Sequence, residues 1–283
     1  MKRLDVSELI FKIISYTFVT LFAIAALYPF IYTISGALSG KLALESGKVI
    51  LFPVDIQFDA FAKAFETKKF WISYSNTIFY TFYGTLFSMI VSIGAGYALS
   101  KERLLFRRHI NFLIVFTMWF SAGMIPHYLN YKRLGVDNRW GIIFAFGVQA
   151  FNVILLRNYF SGISKEIEEA AIVDGANEFQ ILTSIYLPMS KAALATVTLF
   201  YALSRWNGYF WTRILIVEID HPMQVMLRIF YDQMSTDDAA SYTFSNHSLL
   251  YAMIVCSIIP IIVVYPYLQK FFARGVNVGG VKE

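Results

Sequence analysis

The sequence predicts an all-α integral membrane protein with six transmembrane helices, its N- and C-termini both cytoplasmic, and one polar helix-turn-helix loop between helices 4 and 5. Two observations carry the membrane class. Hydrophobic residues make up 57% of the chain and charged residues only 15%, where a soluble domain carries roughly a quarter charged. Apolar runs of about 20 residues, the length that spans a bilayer as a helix, recur along it. A third observation selects helices: the short alternating segments of a transmembrane barrel are absent, and an open sheet edge cannot be satisfied in lipid.

The first span is expected at about Phe11–Leu38. Lys2 and Arg3 before it, and Ala37-Leu38-Ser39 after it, imitate a secretory signal. The run is too long for one and carries Tyr28, Pro29 and Tyr32, so an uncleaved helix is expected. An external loop of about 39–70 follows, with "FPVDIQFDAFAKAF" as a packed surface element. The second span is expected at Trp71–Leu99, the third at Ile110–Leu129 and the fourth at Trp140–Phe160. A polar segment of about 161–189 leads to the fifth, Ser190–Trp211. A second external loop, about 212–247, contains Pro222 and the polar "STDDAASYTFSNHS". Ser248–Leu268 is the sixth, and the whole of 1–283 reads as a single transmembrane domain.

Orientation follows from Lys and Arg in the short loops. Lys101, Arg103, Arg107 and Arg108 after the second span, Lys2, Arg3 and Lys12 at the start, and Lys270, Arg274 and Lys282 at the end all fall on one side of a six-span chain. Lys132, Arg133 and Arg139 on the opposite side dilute the bias.

Several classes of function are disfavoured. The net charge of +5 is scattered, which does not suit nucleic acid. The lone Cys256 cannot form an internal disulfide and reads as a buried thiol. His109, His127, His221 and His247 show no metal-ligand spacing. No paired carboxylates lie within a span, which gives a proton relay little support. No Gly-x-x-x-x-Gly-Lys-[Ser/Thr] occurs, so no P-loop is available to cradle phosphate.

The segment between the fourth and fifth spans carries the clearest local pattern. Ser164 precedes Lys165, Glu166, Glu168 and Glu169, a helix N-terminus signature, and the helix is expected to run to about Val173. Gly175 permits a reversal that a residue with a Cβ resists. A second short helix follows, with Phe179, Leu182 and Ile185 at three-residue steps and Pro188 at its end. Such a bent pair stays out of lipid and has an apolar ridge to bury, on its own spans or in a partner's groove.

Its residues resemble a known motif. Glu169-Ala170-Ala171, three residues, Gly175, nine residues, Ile185, one residue, then Leu187-Pro188 match the EAA loop of ABC-importer permeases. "LLRNYFSGISKEIEEAAIVDGA" and "SRWNGYFW" (Ser204–Trp211) are similar to the binding-protein-dependent carbohydrate permeases of the maltose-permease G type. "GYALSKERL" and "YPYLQKFFARGVNVGGVKE" resemble a subgroup similar to lipoprotein-associated permease C. Together these cover most of residues 71–283. Ser164 and Thr212 stand where relatives usually have Pro, so the first helix begins on a polar cap and the far end of the fifth span is less defined.

The resemblance implies a permease subunit in the cytoplasmic membrane of a bacterium, passing saccharides, with oligosaccharides expected. Its implied partners are a second, unlike permease chain, two ATPase subunits, an external solute-binding protein and membrane lipid. ATP and Mg would bind the ATPase partner, and this chain would hold no cofactor. By position, Glu169 would face a basic group of the ATPase and Gly175 would make the turn. Ala170, Ala171, Phe179 and Leu182 would fill the groove, with Asp174 and Pro188 completing the coupling set. The external loop's tip, roughly Asp237–Ser245, would by position probe the delivery protein, with a plain solvent loop as the alternative.

Polar groups within spans are the default pathway candidates, since lipid exposure is costly. Arg205, Trp206, Asn207 and Tyr209 form the best cluster, followed by Gln149 and Asn152, then Asn76 and Tyr80. An interfacial aromatic belt is the alternative for Trp206, Tyr209 and Trp211, and Arg205 either snorkels outward or lines the cavity. Two other functions compete with the importer subunit: a membrane scaffold with a partner-docking loop, and an ion- or proton-coupled carrier.

Overall fold

The computed structural model describes the backbone of residues 6–234 and 244–275, and side chains within 7–234 and 244–266. Among these residues every regular element is helical, and one isolated antiparallel bridge joins Ser39 to Ile56. The helices run in the order α1 (Val6–Ala37), α2 (Lys41–Glu45), α3 (Asp59–Glu66), α4 (Lys68–Ser100), α5 (Arg107–Trp119), α6 (Met124–Arg133), α7 (Arg139–Ala145) and α8 (Ala150–Ser161). Then come α9 (Lys165–Val173), α10 (Glu178–Ile181), a π-helical turn (Leu182–Tyr186), α11 (Leu187–Met189), α12 (Lys191–Trp206) and α13 (Phe210–Leu215). A 3-10 turn (Glu218–Asp220), α14 (Met223–Gln233) and α15 (Asn246–Gly275) complete the order.

Three helices are long and apolar enough to cross a membrane by themselves: α1, α4 and α15. They coincide with the first, second and sixth expected spans to within a few residues. The remaining candidates are bent pairs, which corrects the expectation of continuous helices. The third span breaks between α5 and α6, which meet at 118°. Gly123 there has φ +90, and a helix running through would drive the Pro126 ring into the carbonyl of Ala122. With 13 residues, α5 is only about 20 Å long, against the roughly 30 Å of a hydrocarbon core. The fourth span breaks between α7 and α8 at 52°. Gly147 in that break lies so close to Phe87 that a Cβ would sit 2.3 Å from the ring. The fifth helix stops at Trp206 rather than Trp211, and the chain turns through Asn207 and Gly208 before α13.

The chain divides into two compact units, one within Met1–Trp71 and Leu227–Ile259, the other within Ile72–Met226 and Pro260–Glu283. In the first, Ala43, Leu44 and Val49 pack with Tyr251. Gly36 makes room for that ring, since a Cβ would meet it at 2.6 Å. Ser39 ties the segment after α1 together: its hydroxyl donates to the Ser35 carbonyl at 2.6 Å and accepts from the Val54 N–H at 3.0 Å. The "FDAFAKAF" segment forms α3, which buries Ala60 and Ala64. Most side chains of α1 from Leu9 to Phe30 are exposed and apolar.

Among the described residues, two cores lie in the second unit. Tyr97, Leu156, Phe160, Ile181, Tyr186, Ala193, Val197 and Tyr201 form one. Gly96 lets α4 and α8 approach there, because a Cβ would lie 3.0 Å from that of Leu156. Tyr80, Val136, Ile142, Ile143, Leu215 and Ile216 form the other. The segment after α13 is pinned to α4 beside this second core. The Asn76 amide donates to the carbonyls of Ile219 (2.9 Å) and His221 (3.1 Å), and the Met223 N–H donates to Thr77 Oγ1 at 2.7 Å. The expected external loop of 212–247 is thus largely packed structure where it is described. Of its tip, about Asp237–Ser245, residues up to 243 lie outside the described residues. Ser245 is buried and caps α15 by accepting from the Ser248 N–H at 3.0 Å.

Candidate functional sites: a helical elbow and an aromatic cleft

Both sites lie in the second unit. They sit toward different ends of α4: Tyr80 and Tyr97 are separated by about 25 Å along it at the helical rise of roughly 1.5 Å per residue.

The elbow is built by local capping. The Ser164 hydroxyl accepts from the Glu166 N–H at 3.3 Å and starts α9. Gly175 reverses the chain at φ +82, with its N–H on the Ile172 carbonyl at 3.0 Å. Asn177 and Gln180 then form a reciprocal capping box that starts α10. This box has a sequence signature, Asn-x-x-Gln, that the expectations above did not use. The π turn follows. Pro188 has no N–H for the Ser184 carbonyl and its ring needs space there, which the wider turn supplies. The chain then bends 86° around Ser190 into α12.

Of the coupling set, Glu169, Ala170, Asp174, Gly175, Phe179 and Pro188 are exposed. Ala171 and Leu182 instead pack against the core of Tyr97, Leu156 and Tyr186. The most exposed apolar residues of the elbow are Val173 at 87%, which sequence reasoning passed over, and Phe179 at 73%; Met189, Ile172 and Ile167 are exposed as well.

Glu168, not Glu169, is the carboxylate the elbow turns inward. Its Oε1 lies 2.7 Å from the Lys101 ammonium, and its Oε2 accepts from the Tyr186 hydroxyl at 2.6 Å. Lys101 is buried immediately after α4, between the rings of Tyr97 (4.2 Å to the centroid) and Tyr186 (4.0 Å). The Tyr97 hydroxyl donates to Glu178 at 2.7 Å, and Arg103 pairs with Glu178 while lying 3.7 Å from Glu168. Burial pushes the Glu168 carboxyl up, but hydrogen bonds from Lys101 and Tyr186 and the charges of Lys101 and Arg103 outweigh it and hold the group below its ordinary range. Burial, then the neighbouring Glu168, push the Tyr186 phenol up, so it stays a donor.

The sign of the pH effect follows. A depressed carboxyl contributes stability that is complete above its unfolded pKa, roughly 4.3, and is lost as pH falls through the folded value. The stability difference between the parent and Glu168→Gln should therefore be constant from about pH 6 to 8 and shrink below about pH 4. Thermal unfolding in detergent across that range checks this; a difference that shrinks between pH 8 and 6 would contradict it.

The second site is a cleft of about 540 Å³. Tyr80, Tyr131, Phe146, Tyr209 and Trp211 give it aromatic walls, and Gln149, Ser204 and Asn207 give it polar groups. Trp211 is edge-on to Tyr131 at 5.2 Å and tilted on Phe146 at 6.0 Å. The break between α7 and α8 frees the Gln149 backbone N–H, which donates to the Tyr201 hydroxyl at 3.1 Å; that hydroxyl lies 2.7 Å from Ser92 Oγ. The Gln149 side chain donates to Ser204 at 3.0 Å and accepts from Asn152 at 3.2 Å.

The structure brings Gln149, Arg205, Asn207 and Tyr209 to this cleft but not Trp206 or Asn152. Trp206 is buried edge-on to Tyr74 at 6.3 Å, and Asn152 is buried behind Gln149. Arg205 does not snorkel. Its guanidinium reaches the carbonyls of Ile142 (3.4 Å), Ile143 (3.3 Å) and Phe146, and Ser88 Oγ at 3.3 Å. It thereby satisfies the Ile143 and Phe146 carbonyls at the break, while that of Ile142 also accepts from the Phe146 N–H at 3.2 Å. Gly84 clears its path, since a Cβ there would lie 2.8 Å from Nε. Tyr131 was missed because it lies at the end of α6, beyond the expected third span. Among the described residues no three His, Cys, Asp or Glu side chains gather as metal ligands.

Comparison with known families decides the class. Residues 5–278 match the model for the binding-protein-dependent transport system inner membrane component. The chain belongs to this family. The permease is 38% identical over 282 residues to the polygalacturonan/rhamnogalacturonan transport system permease protein YtcP of Bacillus subtilis (strain 168), covering 96% of this chain and 98% of that protein. It is 35% identical over 261 residues to Protein LplC of the same organism, covering 90% and 88%. Among solved structures, the permease matches a chain from a bacterial ABC transporter involved in the import of the acidic polysaccharide alginate. That match has a TM-score of 0.91 at 46% identity and covers 96% of this chain and all of the other. The family read from the EAA spacing and the tail is thus the family these comparisons give.

Proposed function

We propose that this permease forms half of the transmembrane pathway of an ATP-driven bacterial importer of acidic oligosaccharides, and that its elbow docks on a cytoplasmic ATPase. The saccharide class is supported by the similar proteins named for polygalacturonan/rhamnogalacturonan transport and for alginate import. The acidic character is supported by the two similar proteins whose substrates are galacturonan and alginate. The cleft suits such a ligand: aromatic faces lie against sugar rings, and Gln149, Ser204 and Asn207 offer amide and hydroxyl hydrogen bonds.

In this reading α1, α4, α12, α15 and the bent pairs α5–α6 and α7–α8 are the six spans, the elbow up to Met189 stays outside the bilayer, and both termini are cytoplasmic. The contact between Lys101 and Glu168 supports that side for the elbow, because it joins the elbow to the Lys- and Arg-rich connection after α4. A second permease, two ATPase subunits and an external solute-binding protein complete the assembly. ATP and Mg bind the ATPase, since this chain has no P-loop.

The observation that carries the docking role is the exposure of Val173 and Phe179 on a segment too polar to enter lipid. Bare apolar side chains of this size mark a protein partner. Purification of the assembled permease should bring an ATPase and a second permease chain. Val173→Asp combined with Phe179→Asp should lower the recovered ATPase at least about tenfold, as loss of an interface hot spot does, with the permease still inserted. Undiminished recovery would refute docking through this ridge. Uptake of galacturonate and alginate oligosaccharides, with maltodextrin as a neutral control, tests the substrate class.

A further inference from the structure

Resting on that reading of the elbow, we infer that Lys101 and Glu168 are the positioning pair that locks the elbow to α4, so that motion of the elbow is delivered along α4 to the cleft. The chain joins the elbow covalently to α8 and α12. Its buried ionic attachment to the end of α4 is this pair, reinforced by Tyr186 on the elbow and Tyr97 on α4, while Arg103 and Tyr97 also reach the more exposed Glu178. The same helix carries Tyr80 in the cleft wall and Gly84 against the Arg205 side chain. One rigid element therefore touches both sites.

The pair differs in kind from the neighbouring contact of Lys165 with Glu102, whose side chains are 67% and 68% exposed. An exposed pair exchanges freely with water and holds little. The Lys101 and Glu168 side chains are only 9% and 15% exposed. Apolar packing can slide in small steps. A buried ammonium between two rings cannot leave its carboxylate without stranding a charge, so the joint is either made or broken.

The test uses the assembled importer in lipid vesicles, with a fluorophore on Asn207→Cys in a Cys256→Ala background and Mg-ATP plus vanadate as the probe. Lys101→Met with Glu168→Gln removes both charges together and leaves no orphan. In this double variant ATP hydrolysis should stay within about twofold of the parent while the ATP-driven signal at the cleft falls at least about fivefold, the scale of a broken coupling. Lys101→Arg, which keeps the charge and the ring contacts, should retain the signal. A full signal in the double variant overturns the proposal. Loss of hydrolysis along with the signal also overturns it, by assigning the pair to folding. A parent complex without ATP hydrolysis refutes the functional reading itself and the proposal with it, an outcome separable from both others.

Discussion

Gly175→Pro is expected to abolish saccharide uptake while the permease still inserts into the membrane. Gly175 holds φ +82, and the proline ring fixes φ near −65°. The variant cannot make the reversal, and it also loses the N–H that bonds the Ile172 carbonyl at 3.0 Å. Nothing lies within 4 Å of where a Cβ would project, so the effect is one of backbone direction and not of crowding. Gly175→Ala provides the graded comparison. It pays only the left-handed backbone cost of about 1–2 kcal/mol and should reduce uptake modestly. For proline the second helix leaves the first at a different angle, and Phe179 no longer shares a surface with Val173. A misplaced mechanical contact of this kind is expected to lower uptake by roughly 100-fold, as small geometric errors do at working sites. Vesicle uptake at matched permease abundance measures it; uptake near the parent level would show that the elbow's angle is not used.

The second large effect is expected at Arg205, and it is structural before it is functional. Arg205→Met strips its hydrogen bonds from the carbonyls of Ile142, Ile143 and Phe146 at once. The Ile142 carbonyl keeps the Phe146 N–H, but those of Ile143 and Phe146 are left bare at about 1–3 kcal/mol each, and bonds to a charged donor are worth roughly 1.5–3 kcal/mol. A loss of at least about 3 kcal/mol is expected, seen as a lower melting temperature in detergent and a loosened break between α7 and α8. Arg205→Lys keeps the charge, but a compact ammonium cannot fork across three carbonyls, so it should recover only part of the loss. An Arg205→Met permease that melts like the parent would show that those carbonyls find other donors. Arg205 lines the cleft with its guanidinium engaged by the α7 carbonyls.

What the sequence disclosed, and what it withheld, divides along the range of the interactions. The elbow was legible because its devices are local: a serine before acids, a glycine at the reversal and a proline at the exit all act within a few residues. The long spans α1, α4 and α15 were legible because a 20-residue window averages correctly over an unbroken helix. The same averaging hid the breaks. Gly123 and Pro126 marked the third span's interruption, but the apolar residues around them kept the run continuous. Which side of the elbow faces inward was not legible, since Ala171, Leu182, Val173 and Phe179 are all apolar and periodicity does not say which row meets the core. The contacts of Arg205 with α7 and of Lys101 with Glu168 join residues more than 60 positions apart. No local pattern announces such partners, and burial of a charge is visible only after folding.

The wide turn at Leu182–Tyr186 has a consequence for how this family can diverge. A π turn accommodates one residue more than the α-helix around it. Within an unbroken α-helix one extra residue would turn everything before it by about 100° relative to the following span; the wide turn absorbs that residue locally and keeps the two parts in phase. Were the extra residue wound into the α-helix instead, the Tyr186 phenol, which reaches Glu168, would lose its bearing while the membrane portion kept its own. One codon's worth of length can thus be gained or lost at this point while the part that meets the motor keeps its register with the part that meets the lipid.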